Sequence, residues 1–177
     1  SSAASDVYKR QMEGTEAANV FSSGMGAITS CILQLCKSGD HIISSRTVYG
    51  GTYAFLKNFT PQLGIETDFV DITSIDDIKK LIKPSTKIIY CEVSSNPLLE
   101  IADLESISKI AKKNNLKLVV DNTFTPLSVS PAKNGADIVI HSLTKFINGT
   151  SDTIAGVVCS DKDFIHSLRD VNDGAFM

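Results

Sequence analysis

Three short and almost unbroken apolar runs constrain this chain most: KIIYCEV (87–93), LKLVVD (116–121) and DIVIH (137–141). A strand with one wet face alternates polar and apolar residues. A strand buried on both faces, as in the middle of a parallel sheet, need not. Between the first two runs, Leu104, Ile107, Ile110 and Ala111 recur at helical spacing up to Asn114, with Asp103 as the N-cap. The alternation extends to both sides. Helices are expected over 25–37, 51–59, 74–82 and from 164 to 171. Asp76 and Asp77 suit the first turn of the third helix, and Pro84 follows its end. Further strands are expected over 41–45, 66–70 and 154–159. Strands alternating with helices predict an α/β chain: a mostly parallel sheet with helices on both faces.

Ligands on such sheets bind beyond the carboxyl ends of the strands, so the residues there carry the functional reading. LKLVVD ends in Asp121, which alone reads as a turn-forming residue. DIVIH runs into Ser142, Thr144 and Lys145. Lys145 alone is a loop lysine reaching solvent, but two hydroxyls and an amine here would suit a phosphate beside a carbonyl carbon. Ser22-Ser23-Gly24-Met25-Gly26 opens a helix whose free first-turn N–H groups can hold a phosphate, although serine N-caps without a ligand are commoner. Tyr49, followed by Gly50 and Gly51, sets an aromatic ring in a strand-to-helix loop, where it could stack on a flat cofactor or pack on the surface. Asn96, before Pro97, puts an amide near the same edge or simply turns the chain. Each signal is weak alone. Together they place phosphate donors, a ring stacker, a carboxylate and a lysine at one edge, with Asp121 and Lys145 24 residues apart, one strand-to-strand step.

Composition removes other classes. The net charge of −3 gives no basic surface for nucleic acid or an anionic membrane. No apolar run approaches a membrane-spanning helix, and no signal peptide is visible. No Gly-x-Gly-x-x-Gly follows the first strand, which argues against a nicotinamide-binding domain. Cys31, Cys36, Cys91 and Cys159 fit neither a zinc pattern nor a redox Cys-x-x-Cys; they read as small buried hydrophobes in a reducing cytosol. No metal is expected.

The segments SSGMGAI (22–28), VYGGTYAF (48–55), SNPLLEIADL (95–104), LVVDNTF (118–124) and HSLTKFINGTSD (141–152) resemble, in this order, the Cys/Met-metabolism enzymes that use pyridoxal 5'-phosphate (PLP). The resemblance covers essentially all of 12–177. It implies the large domain of the aspartate-aminotransferase fold (fold type I). It also implies a cytoplasmic enzyme of trans-sulfuration, assembled as a homodimer or homotetramer. It makes Lys145 the Schiff-base lysine and Asp121 the partner of the pyridine nitrogen. Tyr49 would stack on the ring and act as acid or base. Gly24 and Met25 would hold the phosphate through backbone N–H groups, with the hydroxyls of Ser142 and Thr144. Asn96 would lie near the cofactor's 3-oxygen or the substrate carboxylate.

The reaction is less sharply implied. Gly51 stands where many methionine gamma-lyases carry cysteine, yet the stretches around 91–104 and 145–156 look most like plant-type methionine gamma-lyases and their bacterial relatives. Elimination of the γ-substituent of methionine or a related thioether is therefore expected first. Next come γ-replacement, as in O-acetylhomoserine sulfhydrylase or cystathionine γ-synthase, and cystathionine lysis. A catalytically silent module would be free to lose Lys145 or Asp121; both are present. Residues 1–11 read as a non-native leader, because Asp6 to Gln11 matches one frame of a sequencing adapter. Tyr8-Lys9-Arg10 within them is rejected as the family's phosphate clamp. The chain is accordingly expected to be a fragment that lacks a C-terminal domain and does not turn over substrate alone.

Overall fold

The computed structural model describes residues 11–95, 99–150 and 152–171. Seven strands form one sheet: β1 (Ala17–Phe21), β2 (His41–Ser45), β3 (Glu66–Val70), β4 (Thr86–Glu92), β5 (Lys117–Asp121), β6 (Ile138–Ser142) and β7 (Gly156–Ser160). Their order is β1-β7-β6-β5-β4-β2-β3. β2, β3, β4, β5 and β6 pair in parallel, and β7 runs antiparallel to both β6 and β1. The sheet is thus mostly parallel, as expected, and the three apolar runs are its centre.

The helices are α1 (Gly24–Leu35), α2 (Gly50–Ala54), α3 (Ile75–Leu81), α4 (Leu104–Lys113) and α5 (Lys162–His166). α2 continues into a wider helical turn, Phe55–Phe59, instead of one regular helix, and α5 continues likewise over Ser167–Val171. β1 is an addition to the sequence reading. It is an edge strand whose AANVF stretch shows neither clean alternation nor a long apolar run.

Both faces of the sheet are covered. On one, Ile28 and Ile32 of α1, Leu56 and Ile165 pack on Ile42, Ile88, Tyr90, Val119, Ile140 and Val158. On the other, Ile78 of α3 and Ile107 and Ile110 of α4 pack on Ile43, Ile89, Cys91, Leu118 and Val120. Full burial of each such side chain contributes roughly 1.5–3 kcal/mol, so the central strands are the most firmly held part of the chain. All four cysteines are free and buried. Burial pushes the thiols of Cys36 and Cys91 up to about 12, so they stay protonated and unreactive. No helix among the described residues is long and apolar enough to cross a membrane.

One edge is shaped for close approach. Gly156 opens β7 and pairs with Phe21 on one side and Ser142 on the other. A Cβ on Gly156 would overlap the Ser23 carbonyl, and one on Gly24 would come within 2.7 Å of Ser142 Cβ. Two glycines therefore let the N-terminus of α1 descend onto the end of β6.

Candidate active site

Beyond the carboxyl ends of β4, β5 and β6 lies a cavity of about 500 Å³. Seven of the eight residues singled out in the sequence line it: Gly24, Met25, Tyr49, Asp121, Ser142, Thr144 and Lys145. The eighth, Asn96, lies outside the described residues, as does Tyr8-Lys9-Arg10.

α1 enters the site through its N-terminus. Ser23, in extended backbone, caps the helix: its hydroxyl accepts from Gly26 N–H at 2.9 Å, and its carbonyl accepts from Ala27 N–H at 3.0 Å. The helical ladder thus starts at Ala27. It leaves the N–H groups of Gly24 and Met25 outside it, at the positive end of a twelve-residue helix. Ser142 packs against Gly24 from β6. The Thr144 hydroxyl is occupied differently: it donates to Ala155 O at 3.3 Å and accepts from Ala155 N–H at 3.2 Å. Its contribution to a bound anion would require that hydroxyl to turn. Lys145 follows in a turn, Leu143–Ile147, in which it departs from helical backbone (φ −91°, ψ −121°).

Asp121 ends β5 and is buried. Its Oδ1 accepts from Thr123 N–H at 2.9 Å, and Tyr90 Oη–H reaches its Oδ2 at 3.5 Å. Burial holds its carboxyl above the ordinary range. Directly across the ladder, Glu92 ends β4. Burial, and then the Asp121 charge beside it, push Glu92 up to about 7. Glu92 Oε1 accepts from Tyr49 N–H at 2.6 Å and so fixes the loop that presents the tyrosine ring. Gly51 makes room for that ring, since a Cβ there would stand 2.7 Å from Tyr49 Cε1.

Sequence reading passed over Glu92 as a strand residue, although its parity was a signal. Ile88, Tyr90 and Glu92 share one face of β4, and the polar member of that set falls at the strand's carboxyl end. Phe124 and Phe146 were also missed; they meet edge to face at the rim, with ring centroids 5.3 Å apart.

The family model for the Cys/Met metabolism PLP-dependent enzymes matches residues 7–175 of this sequence. The chain belongs to that family. Among curated relatives, a methionine gamma-lyase of Arabidopsis thaliana is 45% identical over 168 residues, which cover 94% of this chain and 38% of that protein. A cystathionine gamma-lyase of Bacillus subtilis is 48% identical, over 92% of this chain and 43% of its own length. The crystal structure of metB from Corynebacterium glutamicum superposes with a TM-score of 0.87 at 38% identity, covering 90% of this chain and 42% of that one. The chain thus spans about two fifths of the length of these relatives. The fold class expected from the sequence, the fold type I sheet of PLP-dependent transferases, holds.

The residues present fit the cofactor that this PLP-dependent family uses. The amides of Gly24 and Met25 with the Ser142 hydroxyl could hold its phosphate, in a corner that a Cβ on Gly24 would fill. Tyr49 offers a ring face. Asp121 is a buried carboxylate with a like-charged neighbour, and a protonated ring nitrogen is the cation that would relieve it. Lys145 supplies the only amine among the cavity's lining residues. No group of acidic, histidine or cysteine side chains that could hold a metal occurs among the described residues.

Proposed function

We propose that the full-length protein catalyses γ-elimination on a sulfur amino acid, L-methionine foremost, giving α-ketobutyrate, ammonia and methanethiol with uptake of one water. The observation that carries this reading is the convergence of Lys145, Asp121, Tyr49 and the α1 N-terminus on one cavity. The choice of methionine is supported by relatives: proteins named L-methionine gamma-lyase from Fusobacterium nucleatum and Treponema denticola are 46% and 44% identical to this chain.

Bound PLP supplies an electron-withdrawing ring conjugated to the substrate's α-carbon. Asp121 keeps the proton on the ring nitrogen. Lys145 Nζ, as the free amine, would take the α-proton, hand it on, and then, a base again, take a β-proton. Tyr49 Oη, at the cavity, would give a proton to the departing thiolate. Phe124 and Phe146 exclude water at the rim. The assembly is a homodimer or homotetramer. The exposed side chains of Leu127, Phe146 and Ile154 support this, since they leave apolar surface for further chain to cover.

The test is direct. The full-length protein, given L-methionine, releases α-ketobutyrate and methanethiol. Absence of ketobutyrate from methionine, with turnover of O-acetylhomoserine and sulfide instead, would replace this reading by γ-replacement. That alternative has its own support in the 38% identity to a probable cystathionine gamma-synthase of Herpetosiphon aurantiacus. Turnover of cystathionine alone would replace it by cystathionine lysis.

A further inference from the structure

Behind the cavity, on the sheet face opposite Asp121, lies a polar cluster that the reaction above does not use. Glu13, Asn122 and His141 are all buried, at 3%, 0% and 3% exposure. His141 Nε2 and Glu13 Oε1 are 2.7 Å apart, and Asn122 Nδ2 donates to the same oxygen at 3.1 Å. Asn122 is fixed further: its Nδ2 donates to Val129 O, and its Oδ1 accepts from the Thr125 hydroxyl. Ser130 Oγ–H donates to Glu13 O. The second carboxylate oxygen of Glu13 and Nδ1 of His141 have no partner.

Its place in the fold ties it to Asp121. Asn122 follows Asp121 in the chain, and its N–H donates to Ile140 O, beside His141. Asp121 pairs with Ile140 across β5 and β6, which puts His141 on the diagonal position. From β4, Asp121 faces the acid Glu92 and the neutral hydroxyl of Tyr90. Lys145 lies on the cavity side, where the reaction above uses it to move protons.

We propose that Glu13 and His141 are a positioning pair: a buried carboxylate–imidazolium couple whose positive end keeps Asp121 ionised toward the cofactor's ring nitrogen. The ion pair is neutral overall and, unlike an equally neutral carboxyl–imidazole pair, sets a cation diagonal to Asp121. The 2.7 Å separation matches a charge-assisted bond. The charge on His141 lowers the cost of ionising Asp121, opposing the burial that raises it.

This inference rests on the PLP reading, and its test separates the two. Binding of PLP to full-length wild type, to Glu13→Gln and to His141→Asn is compared with binding of a cofactor analogue in which C–H replaces the ring nitrogen. Glu13→Gln keeps an acceptor for His141 and Asn122 but removes the charge. The expected result is a fall of about tenfold in PLP affinity, equivalent to about one unit at Asp121, with little change for the analogue. Equal losses for both ligands, or no loss for either, would overturn the proposal and leave the cluster a packing device. If Glu13→Gln does not fold, His141→Asn decides by the same two affinities. Failure of the wild type itself to bind PLP would instead sink the functional reading.

Discussion

Glu92 and Asp121 face one another across the β4–β5 ladder, each the last residue of its strand, and both carboxyls open onto the same cavity. Two acids so placed cannot both ionise cheaply. Burial raises both, and the Asp121 charge raises Glu92 further, to about 7. The pair of acids therefore holds a proton that it would give to a basic ligand, or lose when a cationic one binds.

That arrangement sets the pH dependence of stability. Glu92 has a folded value near 7 against an ordinary 4.5, so the folded chain binds the extra proton between those values. The stability this gives is fully present below pH 4.5 and is lost as pH rises through about 7. Asp121, also raised, adds a slope of the same sign. Glu92→Gln keeps an acceptor for Tyr49 N–H and removes its share of the slope. Above pH 7 the variant without cofactor should be the more stable by about 2 kcal/mol, allowing for partial exposure. Urea unfolding across this range measures it; parallel curves for the two proteins would refute the assignment.

Gly24→Ala places a Cβ 2.7 Å from Ser142 Cβ and 2.9 Å from its Oγ. Neither the strand end nor the helix can yield freely, so the substitution should cost about 1–3 kcal/mol in denaturant unfolding. It should also weaken PLP binding by more than a comparable loss elsewhere in the sheet, because the added methyl would fill the corner proposed for the phosphate. Unchanged cofactor affinity would move the phosphate away from this helix end.

Ser23→Ala removes the acceptor for Gly26 N–H. Loss of such a cap costs about 1 kcal/mol, which thermal unfolding should show as a drop of roughly 4 °C. PLP binding should weaken only modestly, since the Gly24 and Met25 amides are backbone groups that the variant keeps. A large loss of binding would mean that the Ser23 hydroxyl itself touches the ligand.

Much of this site was legible in the sequence, for a physical reason. Parallel strands buried on both faces must be apolar throughout, so KIIYCEV, LKLVVD and DIVIH announced the sheet's centre, and the first polar residues after them announced its functional edge. What stayed hidden was whatever depends on pairing. β1 is short and lies at the sheet's edge, so its pattern is weak; only its ladder with β7 makes it a strand. The antiparallel direction of β7 leaves no mark on its own residues. Glu92 was visible only as part of an apolar run until the register set it beside Asp121. Glu13 and His141 are 128 residues apart, and no local pattern joins them.

Lys145 as the lysine that carries the cofactor is tested by borohydride reduction of the purified full-length protein, followed by peptide mass mapping. A pyridoxyl phosphate adduct is expected on the peptide containing Lys145 and is expected to be absent from Lys145→Ala. An adduct on another lysine, or none after incubation with PLP, would contradict it.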